Sequence, residues 1–142
     1  MQTLEEKAVQ FFESGYNCAE SVLRAVAEAE NSDVKDPQRF ATAFGGGMAR
    51  QGSTCGCLTG AIMAVGLLAG RSAPEDQAGK DRVYAATLRL FEQFKQQVGS
   101  VECRDISGLK FDRSTHLNVC CPLVGFAARV ASEEITAVRG DK

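Results

Sequence analysis

Residues 55–70 read C-G-C-L-T-G-A-I-M-A-V-G-L-L-A-G, and they contain the longest apolar run of the chain. That run, residues 58–69, is about 12 residues long, whereas a helix needs roughly 20 residues to span a bilayer. Ser53 and Thr54 precede the run, and residues of these types commonly cap the start of a helix. The stretch therefore predicts a buried core helix that begins at Cys55, and it predicts no membrane span.

Glycines are spaced through this helix as two small-x-x-x-small pairs, Gly56 with Gly60 and Gly66 with Gly70. An interior glycine costs a helix roughly 0.5–1 kcal/mol relative to alanine. Such a cost is tolerated where another backbone must come close. The spacing therefore predicts close packing of neighbouring helices against this one.

Apolar residues recur at helical spacing on both sides of the central helix. Asn17 and Glu20 have the spacing of a capping box, and Pro122 suits the first turn of a last helix that begins beside Cys121. The polar residues 111–118 are predicted to be a loop. The further predicted helices are residues 3–13, 17–30, 38–44, 73–98 and 103–108. No strand alternation, linker or repeat interrupts them, so residues 1–142 are predicted to form a single all-α domain, a bundle of five to six helices.

Composition excludes several classes of function. The chain is 44% hydrophobic, which at 142 residues is enough for one domain with its own core. Its net charge is −2 with no basic stripe, so nucleic acid is not an expected partner. Exposed apolar faces on short helices are compatible with a homodimer, although no heptad pattern predicts one.

The six cysteines are the most informative residues. The N-terminal sequence lacks the features of a secretory signal, which predicts a cytoplasmic protein whose cysteines stay reduced. Thiols in such a protein more often serve redox chemistry or metal binding than structural cross-links. Four of them open predicted helices, where the helix N-terminus favours the thiolate. These four are Cys18, Cys55, Cys103 and Cys121.

If those helix ends converge, two chemistries are open. Paired thiols can exchange with a disulfide, and three or four thiolates can hold zinc or an iron–sulfur cluster. No C-x-x-C spacing favours either one. Cys55 and Cys57 can share a site only at the first turn of their helix, and Cys57 and Cys120 are equally well explained as small buried residues. His116, in the polar loop, is a candidate base or fourth ligand.

Short motifs around the cysteines resemble those of the C_GCAxxG_C_C family. They are G-Y-N-C-A-E at 15–20, C-G-x-x-T-G at 55–60, C-R-D-I-S-G at 103–108 and C-P-L-V at 121–124. The resemblance implies redox activity or cofactor binding, with Cys18, Cys55, Cys103 and Cys121 as the signature cysteines. The family's second motif is written C-G-A-x-x-G, so Cys57 stands where it has alanine. Cys120 is likewise an addition to the pattern.

The first hypothesis is a redox protein that uses Cys18, Cys55, Cys103 and Cys121 for thiol–disulfide exchange or electron transfer with a partner protein. Cys55 is expected to be the most reactive of them, because its helix end is open to approach. The second hypothesis is a metal protein in which the same four cysteines bind zinc or an iron–sulfur cluster. The third is a helical binding module whose cysteines are incidental.

Overall fold

Helices account for the fold in a computed structural model that describes residues 1–140. The seven α-helices are α1 (Leu4–Glu13), α2 (Cys18–Ala29), α3 (Gly56–Ala69), α4 (Gln77–Val98), α5 (Cys103–Ser107), α6 (Arg113–Thr115) and α7 (Cys121–Gly140). A 3₁₀ helix, Pro37–Phe44, follows α2, and a π-helix, His116–Cys120, joins α6 to α7. No strand forms within residues 1–140, where the β structure is one isolated bridge between Thr54 and Glu102. The all-α prediction is confirmed, but the helix number of five to six was too low.

The helix α3 occupies the middle of the bundle, as its apolar sequence predicts. Helices α2, α4 and α7 all pack against it, and α1 fills the space between α2 and α7. Side chains along α3 are fully buried, among them Leu58, Ala61 and Val65. None of the helices within residues 1–140 has the length and apolarity that crossing a bilayer requires.

Side-chain caps set where two of the helices begin. The Asn17 side chain accepts a hydrogen bond from the N–H of Glu20 at 2.9 Å, and the Glu20 carboxylate accepts one from the N–H of Asn17 at 2.9 Å. This capping box confirms the predicted start of α2. Helix α4 begins at Gln77, later than predicted, because the Asp76 side chain caps it by accepting from the N–H of Gly79 at 2.8 Å.

The predicted loop at 111–118 is wrong, whereas the last α-helix does begin at Cys121 as predicted, with a π-helix leading directly into it. Asp112 accepts a hydrogen bond from the N–H of Thr115 at 2.9 Å and begins a helical run that continues into α7. Pro122 would break a regular α-helix because its ring clashes with the carbonyl four residues earlier. The π-helix widens the turn ahead of it, with the N–H of Cys121 bonded five residues back to His116. Cys121 therefore lies inside a helical run and has no exposed helix N-terminus.

The α2–α3 packing depends on two of the glycines in α3. A Cβ at Gly60 would lie 2.7 Å from the carbonyl oxygen of Ala19 and 3.0 Å from its Cα, and a Cβ at Gly56 would collide with the sulfur of Cys18. By contrast, Gly66 is exposed and faces open space. Close approach of a neighbouring helix therefore explains the first pair of glycines but not Gly66.

The same substitution at two positions of α3 separates packing from helix propensity. Gly60→Ala is expected to lower the free energy of unfolding by about 1–3 kcal/mol, because α2 must shift to admit the methyl group. Gly66→Ala is the matched control and is expected to raise it by up to about 1 kcal/mol, since alanine favours the helix. Urea unfolding measures both. Equal effects of the two substitutions would contradict the close approach at Gly60.

Candidate functional site

One cavity of about 580 Å³ collects five of the six cysteines. It lies where α2, α3 and α5 begin and where the π-helix passes over them. The thiols that line it are Cys18, Cys55, Cys57, Cys103 and Cys120. The structure thus brings together three of the four cysteines expected to act as a group, together with the two that the motifs treat as extra.

Cys121, the fourth expected cysteine, lies elsewhere. It lines a separate groove between α1 and α7, next to Glu13 and Gly125. Consecutive residues of a helix point about 100° apart, and the helical run through this region turns Cys120 toward the thiol cavity and Cys121 away from it. An arrangement of Cys18, Cys55, Cys103 and Cys121 around one group is therefore not formed.

Backbone hydrogen bonds tie the cysteine-bearing helix ends to one another. The N–H of Cys55 donates to the carbonyl of Val101 at 2.8 Å, and the N–H of Cys103 donates to the carbonyl of Ser53 at 2.7 Å. Cys55 is the N-cap of α3 and has an extended backbone with φ −53° and ψ 131°. This non-helical conformation lets its side chain share a site with Cys57, two residues later.

Cys57 stands at the centre of a row of three thiols. Its side chain is 1% exposed, and its S–H group donates a hydrogen bond to either the Cys18 or the Cys55 sulfur. Donation to these neighbours, together with burial, raises the pKa of Cys57 well above 9.0. Cys57 therefore keeps its proton. Its S–H group donates to one neighbouring sulfur at a time, either that of Cys18 or that of Cys55.

The two outer thiols of the row are the acidic ones. The hydrogen bond from Cys57 lowers the pKa of Cys18 to about 7, against the opposing effect of burial, and the backbone N–H groups of Gly46 and Ala19 add to the lowering. The pKa of Cys55 is also lowered, first by Cys57 and then by backbone N–H groups at the start of α3. Cys18 is thus the thiol for which a pKa near neutral pH favours a thiolate share.

Burial is the main influence on the remaining three cysteines, and it raises their pKa values. It raises the pKa of Cys103, whose sulfur lies 3.4 Å from the Ser107 hydroxyl, and it raises the pKa of Cys120 to about 12. In the separate groove, burial and the negative charge of Glu13 raise the pKa of Cys121. The raised pKa values favour the protonated form of these three thiols, which leaves Cys18 and Cys55 as the two acidic thiols of the cluster.

A left-handed turn forms the wall opposite Cys18. Five consecutive residues, 46–50, have φ between 50° and 70°, and three of them, Met48, Ala49 and Arg50, are not glycine. Each non-glycine residue costs roughly 1–2 kcal/mol in this conformation. The turn is held by hydrogen bonds from the N–H groups of Gly52 and Ser53, at 3.1 and 3.0 Å. It directs the N–H of Gly46 at the Cys18 sulfur.

The mouth of the cavity carries aromatic and charged side chains. The His116 ring stacks on the Phe12 ring with centroids 3.7 Å apart and the planes at 3°. The Arg50 guanidinium lies 5.8 Å from the centre of the Phe111 ring, and Lys110 precedes that ring in the chain. His116 therefore reaches the site as a stacked ring.

Metal ligation was the alternative use of the cysteines. Within residues 1–140, no three or more histidine, cysteine, aspartate or glutamate side chains are arranged so that they could hold a metal ion. The predicted set of four cysteine ligands is divided between two cavities, with Cys121 apart from the others. The donor arrangement described here does not fit a zinc or iron–sulfur site.

Sequence reasoning left Cys57 and Cys120 undecided and passed over the Gly46 N–H. The one local signal for Cys57 was its C-x-C spacing from Cys55 at the point where a helix begins. The expectation that Cys55 is the most reactive thiol stays a prediction, because the pKa values of both Cys55 and Cys18 are lowered.

Comparison with known proteins identifies a family and a relative. A family model described as "Putative redox-active protein (C_GCAxxG_C_C)" matches residues 16–134, a range that contains every cysteine of the chain. An "Uncharacterized protein" of Archaeoglobus fulgidus is 27% identical over 110 residues, covering 72% of this chain and 73% of the relative. No solved structure matches significantly.

Removing the central thiol is expected to raise the pKa of Cys18. Cys57→Ala removes the hydrogen bond that is the strongest cause of the lowered pKa of Cys18. A rise of one pKa unit changes the thiolate fraction by up to tenfold. Alkylation of Cys18 by iodoacetamide at pH 7 should therefore slow by about fivefold or more. Mass spectrometry can follow Cys18 alone in the tryptic peptide 8–24. The same alkylation measured across a range of pH gives the pH at which Cys18 reacts at half its maximal rate. Cys121→Ala is the control and should leave that pH unchanged. If Cys57→Ala also leaves it unchanged, the hydrogen-bonded row of thiols is contradicted.

Proposed function

This chain belongs to the C_GCAxxG_C_C family of redox-active proteins, and we propose that it carries out thiol–disulfide exchange through Cys18 and Cys57. The observation that carries the proposal is the placement of both side chains in one cavity, with the Cys18 sulfur packed against the first turn of α3, which carries Cys57. Cys57 lowers the pKa of Cys18 to about 7, whereas the pKa of Cys57 itself is raised. One member of such a pair attacks a disulfide, and the other resolves the product.

In the first step the Cys18 thiolate attacks one sulfur of a substrate disulfide. A bond forms between Cys18 and that sulfur while the substrate S–S bond breaks, and the second substrate sulfur leaves as a thiolate that takes up a proton. Cys18 suits this step because its thiol is the more acidic of the pair and because the residue is less enclosed than Cys57, which is 1% exposed. The N–H groups of Gly46 and Ala19 keep Cys18 ionised before the attack.

In the second step Cys57 attacks the Cys18 sulfur. Its proton passes to Cys55, whose sulfur accepts the Cys57 hydrogen bond and whose pKa is lowered. The remaining substrate sulfur leaves as a thiolate, and a Cys18–Cys57 disulfide remains. The substrate disulfide is thereby reduced to two thiols by two electrons, which the Cys18–Cys57 pair supplies. A dithiol reductant, the expected redox partner, would return the pair to its reduced state.

Peptide mapping tests this pairing directly. The fully reduced protein is mixed with one equivalent of 2-hydroxyethyl disulfide, alkylated and digested with trypsin. We expect the loss of two hydrogen atoms and a disulfide that joins peptide 8–24, which contains Cys18, to peptide 51–71, which contains Cys57. Fragmentation of the second peptide distinguishes Cys57 from Cys55.

Two serine variants complete the test. Cys18→Ser is expected to slow reduction of the disulfide more than about 100-fold, as loss of a nucleophile does. Cys121→Ser has its thiol in the separate groove and is expected to stay within about twofold of the wild type. A bond to Cys121, or full activity in Cys18→Ser, would overturn the proposal. A stoichiometric metal in the native mass spectrum would instead favour the metal-binding alternative.

A further inference from the structure

We propose that the substrate of this site is a small disulfide that carries carboxylate groups, which Arg50 and Lys110 bind at the mouth of the cavity. The inference rests on the proposed thiol–disulfide exchange and adds the size and charge of the molecule that enters. Three features of the cavity support this proposal. They are the depth of its thiols, the hydrogen bonds that its carboxylates already accept, and the position of Arg50 at its edge.

The depth of the thiols limits the size of the substrate. Cys55 is 6% exposed and Cys57 is 1% exposed, and both line the cavity with Cys18. The Cys18 sulfur, which the substrate must reach, lies beside them in the contact between α2 and Gly56, so a disulfide fixed in the surface of a folded protein would have to bring its own sulfur to this depth. The cavity volume, about 580 Å³, falls within the roughly 300–1,000 Å³ of small-molecule sites. A small, flexible disulfide therefore fits the route to Cys18.

The carboxylates of the cavity are already engaged with helix starts. Glu20 accepts hydrogen bonds at 2.9 Å from the N–H of Asn17 and from the Thr42 hydroxyl. Asp112 accepts from the N–H of Thr115, which lowers the pKa of Asp112, and the nearby charge of Lys110 lowers it further. Helix N-termini offset these negative charges.

The two cations at the mouth are less fully engaged than these carboxylates, although the charge of Lys110 acts on Asp112. Within residues 1–140, no carboxylate forms a salt bridge with Arg50 or Lys110. Both side chains are exposed on residues that line the cavity. They are therefore free to bind the acidic ends of a substrate whose sulfur atoms reach the thiols below.

The backbone of Arg50 adds an independent reason. Arg50 has φ 63° at the end of the left-handed turn, a conformation that costs a non-glycine residue free energy. Its guanidinium lies 5.8 Å from the Phe111 ring centre at the edge of the cavity. Residues kept in costly conformations cluster at binding and catalytic sites. Here the costly turn presents a cation to the cavity while its Gly46 N–H faces Cys18.

Three disulfides of similar size and different charge test the inference on the full-length reduced protein. They are 3,3′-dithiodipropionate with two carboxylates, 2-hydroxyethyl disulfide with no charge, and cystamine with two ammonium groups. Each rate is divided by the rate at which dithiothreitol reduces the same compound, which removes differences in intrinsic reactivity. We expect the dianion to exceed the neutral compound by about fivefold to tenfold, the scale of two exposed ion pairs. Cystamine should be slowest, and the preference should shrink in 1 M salt.

The charge variants show which cations are responsible. In the double variant Arg50→Gln with Lys110→Gln, the ratio of the dianion rate to the neutral rate should fall to about one. The matched control removes two exposed cations away from the cavity, Arg39→Gln with Lys95→Gln, and should keep the wild-type ratio. Equal ratios in both double variants would overturn the inference.

The failures of the two proposals can be told apart. If none of the three disulfides oxidises Cys18, thiol–disulfide exchange itself is wrong. If all three react at equal corrected rates, exchange stands and the preference for an anion is wrong. Insulin supplies a protein disulfide for comparison. Reduction of insulin faster than that of 3,3′-dithiodipropionate would overturn the restriction to small substrates.

Discussion

The close contact between α2 and the start of α3 is the constraint on which the thiol cluster depends. It requires glycine at positions 56 and 60, since a Cβ at either one would meet α2. Because of this contact the Cys18 sulfur rests against the first turn of α3, within hydrogen-bond reach of Cys57. An ordinary helix–helix distance of 8–10 Å is set by side chains at the contact. Glycine lets these two backbones meet more closely, so packing and chemistry depend on the same residues.

Within that contact, the thiols are distinguished by their hydrogen bonds. Cys57 is the most enclosed of the cavity cysteines and keeps its proton, whereas Cys18 and Cys55 receive hydrogen bonds and lose their protons more easily. In a site of low dielectric, a thiolate without donors would be costly. The cluster avoids this cost with one shared S–H group and several backbone N–H groups. Burial by itself makes each of these thiols less acidic, and the donors that Cys18 and Cys55 meet reverse that effect.

Much of the fold and part of the site could be predicted from local patterns. The all-helical class follows from apolar residues at helical spacing, and the start of α2 follows from Asn17 and Glu20. Helix starts at Cys18, Cys55, Cys103 and Cys121 left open whether the four thiols meet, and the structure brings the first three together but places Cys121 in a separate groove. The run through 113–120 was missed because its polar residues resemble a loop, while the caps and π-helix that make it helical depend on Asp112 and Pro122 together.

Local sequence patterns specify most of the helical segments, where several of them begin, and the burial of α3, because periodicity and capping act over a few neighbouring residues. The central position of Cys57, the presence of Cys120 in the cavity in place of Cys121, and the approach of Gly46 and Arg50 to the site follow from how distant segments pack. Those outcomes depend on how helices cross and on a rotation of about 100° per residue around each axis. Both are set by contacts between residues far apart in the chain.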